Sequence, residues 1–125
     1  MSQLNINIKA KNLELTQDLK NHINEKISQI EKFMNLTPEE SVIVDVEVKK
    51  KHGEHHHKGE IFHTEINLEL SGKFFRAESV KEDIKIAIDD AQSDMVRQIR
   101  KNKERRGDLF KRGAKRIKNF LKFRN

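Results

Sequence analysis

Cysteine, tryptophan and tyrosine are all missing from this 125-residue chain, and proline occurs once. Without cysteine there is no disulfide and no thiolate chemistry, which suits a reducing compartment. Aromatic residues make up 6% of the chain and all are phenylalanine, so the core has to be aliphatic and modest. No apolar run approaches the length of a membrane span, and the opening MSQLNINIKA carries no signal-peptide pattern, so a cytoplasmic location is expected. Catalytic constellations are missing too. No glycine-rich loop precedes a helix to cradle phosphate, and the serines, histidines and aspartates form no nucleophile elbow. Asp89 and Asp90 are adjacent on an expected helix and point to different sides, so they cannot work as a carboxylate pair. The chain reads as a binder rather than an enzyme, with no cofactor, no metal and no small-molecule substrate expected.

What is abundant is charge, at 37% of residues, and it is unevenly spread. Residues 1–96 hold 13 basic and 18 acidic side chains, a net of −5, whereas residues 97–125 hold 13 basic and 2 acidic, a net of +11. A mildly acidic body with a strongly basic end is the asymmetry of a protein that docks on a polyanion. The bland alternative is a solvated tail that only keeps the protein soluble.

The clearest organising stretch is Ala77–Arg106. Ser79 and Glu82 have the spacing of a capping box, and Ile84, Ala87, Ile88, Ala91, Met95 and Ile99 then form one apolar stripe at helical spacing. Glu82, Asp83, Asp89, Asp90 and Asp94 precede Arg97, Arg100, Lys101, Lys103, Arg105 and Arg106, an order that suits the helix dipole. Upstream, Leu4, Ile6, Ile8 and Ala10 alternate as a first strand. Thr16 caps a helix from about Gln17 to Met34, with Leu19, Ile23, Ile27, Ile30 and Met34 on its inner stripe. Val42, Val44, Val46 and Val48 alternate as a second strand. A third carries Phe62, Thr64, Ile66, Leu68 and Leu70, and Ser71-Gly72 turns into a fourth at Lys73–Glu78, with Phe75 and Ala77 facing inward.

The order β-α-β-β-β-α predicts a two-layer α+β domain: a four-stranded sheet with two helices on one face. Strands one and two are parallel through the helical crossover and the rest are antiparallel hairpins. We expect a domain over residues 1–106 and a basic amphipathic tail over 107–125. Phe110, Ile117 and Leu121 keep helical spacing in that tail, among Lys111, Arg112, Lys115 and Arg116.

Between strands two and three, Lys50–Gly59 reads as a polar loop with His52, Glu54, His55, His56 and His57. Clustered imidazoles can bind a transition metal, but a polar hairpin loop offers no fixed geometry. A solvated loop, or one touching a nucleic-acid backbone, is the simpler reading. The open face of the sheet carries Asp45, Glu47, Glu65 and Glu69, which would repel phosphate, and it lacks the aromatic platforms of single-strand binders. A polyanion should therefore be met by the helices, loops and tail.

On these residues the chain resembles the ribosome hibernation-promoting factors, also called ribosome-associated inhibitor or protein Y. The likeness runs from the strand INIKAKNLELT through KISQIEKF, similar to K-L-x-K-L-E-K-F. It continues in HHHKGEIFHTEINLELSGKFFRAE and ends in EDIKIAIDDAQSDMVRQIRKNK, similar to D-D-M-Y-A-A-I-D-x-x-x-D-K-L-x-R-Q-L-x-K-x-K. The resemblance implies a domain that sits between head and body of the small ribosomal subunit, over the decoding region. There it would block messenger and transfer RNA and silence idle ribosomes. It implies contacts to ribosomal RNA from Lys26 and Lys32 of helix one and from Arg97, Arg100, Lys101 and Lys103 of helix two. The charge map adds Arg105, Arg106, Lys111, Arg112, Lys115 and Arg116.

In two places the chain departs from the family pattern. The family's tyrosine early in helix two is Lys85 here, and residues 108–125 are too short and too basic for the second domain of long members. The expected partners are the small subunit and the whole ribosome, with a monomer off the ribosome and no membrane. A general module for structured RNA and a peripheral membrane or partner binder using the tail are the competing readings.

Overall fold

Alternation of Val42, Val44, Val46 and Val48 with polar residues builds the central strand β2 (Ser41–His52), all four valines being buried. In the computed structural model, the backbone is described for residues 3–52 and 59–123 and the side chains for 4–51 and 59–103. The order is β1 (Gln3–Lys11), α1 (Gln17–Glu31), β2, β3 (Glu60–Leu70), β4 (Lys73–Lys81) and α2 (Ile84–Phe123). The four strands form one sheet in the order β1-β2-β3-β4. β1 runs parallel to β2, with Ile6 opposite Val44, and β2, β3 and β4 pair antiparallel. A whole helix separates β1 from β2 and supplies the length a parallel connection needs. The turn from β3 to β4 has only two residues, Ser71 (φ 50°) and Gly72 (φ 77°), both in the left-handed region that suits the twist of a tight hairpin.

One face of the sheet is dry. Ile66, Leu68 and Ala77 join the β2 valines against Leu19, Ile23, Ile27 and Ile30 of α1 and Ile88, Ala91, Met95 and Ile99 of α2. The half-buried Leu4, Ile6, Ile8 and Ala10 of the edge strand β1 pack on this cluster. α2 lies over β3 and β4 and against α1, completing the two layers. The core thus has the aliphatic composition that scarce aromatics demand. Thr64 is the exception: its side chain is fully buried, and its hydroxyl finds no hydrogen-bond partner among the described residues.

Several local boundaries differ from the sequence-based expectation. Ser79 does not cap α2. It lies in β4, which continues past Glu78 to Lys81, and its hydroxyl donates to the Asp90 carboxylate at 2.7 Å. The cap is Asp83, whose Oδ1 accepts from the backbone amides of Lys85 (2.8 Å) and Ile86 (3.2 Å). The alternation Ala77-Glu78-Ser79 continues the strand, and pairing of Ser79 with Thr64 and of Lys81 with Phe62 outweighs an early helix start. Likewise Lys50, Lys51 and His52 belong to β2, paired with Phe62, Ile61 and Glu60, rather than to a loop. The loop histidines 55–57 lie outside the described residues. Thr16 does cap α1, accepting from the amide of Leu19 at 3.2 Å. That helix ends at Glu31, and Phe33 and Met34 follow in tight turns before Asn35 at φ 49°. α2 passes through residues 106 and 107 without a break, 40 residues in all, a rod about 60 Å long.

Candidate ribosomal RNA interface

The two helices bring together cations that lie some 65 residues apart in the chain. At the C-terminal end of α1, Lys32 is exposed beside Phe33. One turn apart on α2 stand Arg97 and Arg100, both exposed. These residues line a groove between the helices with Gln29, Gln92 and Val96. The Arg100 guanidinium stacks over the Phe33 ring at 4.9 Å from its centre. This cation–π contact orients a planar group that can bond two phosphate oxygens at once. Gln92 donates to Gln29 across the groove at 3.4 Å, tying the helices at its floor. Lys101 and Lys103 follow on the next turn, both exposed.

Not every expected cation is equally free. The Lys26 ammonium lies 3.5 Å from Asp89, and His22 Nε2 lies 2.8 Å from the same carboxylate oxygen. Lys26 is therefore drawn toward the α1–α2 seam, one turn and a half behind Lys32. Arg97 lies 3.8 Å from Asp94 but keeps most of its surface in solvent. Asp89 and Asp90 do face different neighbours, the first toward α1 and the second toward β4. The first turn of α2 contains no acid, so Asp89 and Asp90 act through contacts to other elements, while Asp94 accepts from Gln98 of its own helix at 3.0 Å. Arg105, Arg106, Lys111, Arg112, Lys115 and Arg116 sit on the α2 backbone, and their side chains lie outside the described residues.

Phe33 and the two glutamines were not singled out from the sequence as parts of a site. A signal for Phe33 did exist: it falls off the apolar stripe of α1 and directly follows a lysine. Nothing local marks Gln29 or Gln92, whose meeting depends on how the helices cross.

On the opposite, wetted face of the sheet, Glu65 and Glu78 stand directly across from each other on β3 and β4. Like charges in such a pair repel, and Arg76 bridges both carboxylates. The Arg76 hydrogen bond, followed by its charge and by His63, holds the Glu78 carboxyl below its ordinary value against a smaller desolvation effect. Ligand atoms of His63, Glu65 and Glu78 lie within 4.8 Å of one another, but the guanidinium already occupies that neighbourhood. No helix among the described residues is long and apolar enough to cross a membrane.

At 32% identity over 108 residues, the chain is similar to the ribosome hibernation promotion factor of Bacillus subtilis; the match takes in 86% of this chain and 53% of that protein. The chain thus spans about half the length of that relative. It is 26% identical over 113 residues to the ribosome hibernation promoting factor of Pseudomonas putida, covering 90% of this chain and 100% of that one. Among solved structures, the N-terminal domain of Thermus thermophilus protein Y superposes with a TM-score of 0.62 at 20% identity, over 78% of this chain and 97% of that one. A ribosomal subunit interface protein from Coxiella burnetii gives 0.57 at 16% identity, over 83% and 99%. Both likenesses support the fold. The family described as sigma 54 modulation protein / S30EA ribosomal protein matches residues 6–107, from the first strand through the groove-lining turns of α2, and the chain belongs to this family, that of the hibernation-promoting factors.

Proposed function

We propose that the protein binds the small ribosomal subunit at the decoding region and messenger channel and holds the ribosome inactive, acting as a binder and not as an enzyme. The observation that carries this reading is the cationic groove. Lys32, Arg97 and Arg100 converge from two helices, with Lys101 and Lys103 continuing the charge along α2. Phosphate contacts made by such a rigid groove fix position and register but carry no base sequence, so recognition rests on the shape of folded RNA. Relatives named as hibernation factors support the ribosome as that RNA. The basic tail, residues 107–125, adds non-specific phosphate contacts in the messenger channel. The site takes no cofactor, and the free protein is a monomer in the cytoplasm.

Sedimentation of the purified protein with purified ribosomes and separated subunits tests the reading. The expected outcome is cosedimentation with small subunits and whole ribosomes and not with large subunits alone, together with loss of messenger-dependent translation. Equal binding to free duplex RNA would instead favour a general structured-RNA module.

A further inference from the structure

The wetted face of the sheet holds a second surface of opposite character. Ile43 on β2, Glu69 on β3 and Phe74 on β4 are register partners and form one row across three strands. Phe74 is 77% exposed and Ile43 42%, the first being the most exposed large apolar side chain among the described residues. Two adjoining hollows share Ile43 and Glu69. One runs along Asp45 and Phe74, and the other runs toward Glu39, Glu40 and the Ser71-Gly72 turn. Their lining carries four acids and one cation, Arg76, which Glu65 and Glu78 already hold. An apolar floor inside an acidic rim is the anatomy of a protein–protein contact, with an aromatic anchor and charges that select the partner.

We infer that this groove docks a basic polypeptide segment bearing an apolar side chain, which seats on Phe74 and Ile43 while its lysines or arginines meet Asp45 and Glu69. Charge decides the class of partner. The four acids of the groove repel RNA, so the groove does not take the polyanion that the helices meet on the other side of the sheet; the lysines of this face, Lys9, Lys11, Lys49 and Lys51, lie outside its lining. The inference rests on the ribosome reading above: a protein whose helices face ribosomal RNA turns the opposite face toward whatever else lines the cleft. A basic segment of a ribosomal protein has the complementary chemistry.

The test compares binding of wild-type protein, the double variant Asp45→Lys/Glu69→Lys and the single variant Phe74→Ser to purified small subunits. A photoreactive phenylalanine analogue at position 74 reports what lies against it. Binding of the double variant is expected to weaken about tenfold even though its net charge rises by four, Phe74→Ser is expected to weaken similarly, and the crosslink should go to a ribosomal protein. Phe74 is so exposed that its truncation leaves the core untouched, which guards against a folding artefact. Equal or tighter binding by both variants overturns the inference, as does a crosslink to RNA, to a second copy of this chain, or to nothing. If wild-type protein itself fails to bind, the ribosome reading falls and the inference falls with it; wild-type binding with unaffected variants removes the inference alone.

Discussion

Asp83 shows how much a single side chain settles in this fold. Its carboxylate satisfies two orphan amides at the start of α2 and releases Ser79 to finish β4 and bond Asp90. Asp83→Ala should lower stability by about 1 kcal/mol, measured by chemical denaturation, with little change in the cooperativity of unfolding. Thr64 makes the opposite case. A buried hydroxyl without a partner keeps its desolvation cost, so Thr64→Val should raise stability by about 1 kcal/mol, read as a higher denaturation midpoint. A lower midpoint would mean that the hydroxyl has found a partner. On the wetted face, the depressed Glu78 pKa sets a direction with pH. Because the folded value lies below the unfolded one, the Arg76–Glu78 contact contributes fully above the ordinary glutamate range and is lost as pH falls through the folded value. Arg76→Ala should move the Glu78 titration, followed by carboxyl carbon chemical shift, back upward. The stability gap between the proteins should also shrink on acidification.

At the scale of elements, the proposed RNA contacts rest on the seam between α1 and α2. Each helix alone is an ordinary amphipathic element whose apolar stripe can be read directly from its spacing. Only their packing puts Phe33 under Arg100 and brings Lys32 and Arg97 to one groove. Replacing Lys32, Arg97 and Arg100 together by alanine should leave the fold intact, because all three side chains are exposed and outside the core. Small-subunit binding should weaken, and the slope of log affinity against log salt should fall by roughly two to three, near one per lost phosphate contact. An unchanged slope would move the phosphate contacts elsewhere on the molecule.

For the whole molecule, the central feature is a division between body and rod. The last core residue among those described is Ile99, whereas α2 runs on to Phe123. Residues 107–125 carry seven basic and one acidic side chain. Deleting them should therefore leave the melting of the body nearly unchanged, weaken ribosome binding and flatten its salt dependence. Undiminished binding at every salt concentration would show that the extension makes no contact. The groove around Phe74 on the sheet is lined by acids, whereas Lys32, Arg97 and Arg100 gather on the helix layer, so the proposed RNA contacts belong to the helix layer and not to that groove.

The element order, the buried face of each strand, the parallel first pair and the basic end follow from the sequence itself. Strand and helix periods sort apolar from polar residues locally, and charge composition does not depend on folding. Ser79 reads as a cap in the sequence because a serine-to-glutamate spacing fits both a capping box and a strand end, and only the ladder to Thr64 separates them. The engagement of Lys26 by Asp89, the Arg100–Phe33 stack and the Ile43–Glu69–Phe74 row join residues from different elements. Such contacts depend on crossing angle and register, which are set by packing of the shared core, and so only the tertiary structure decided them.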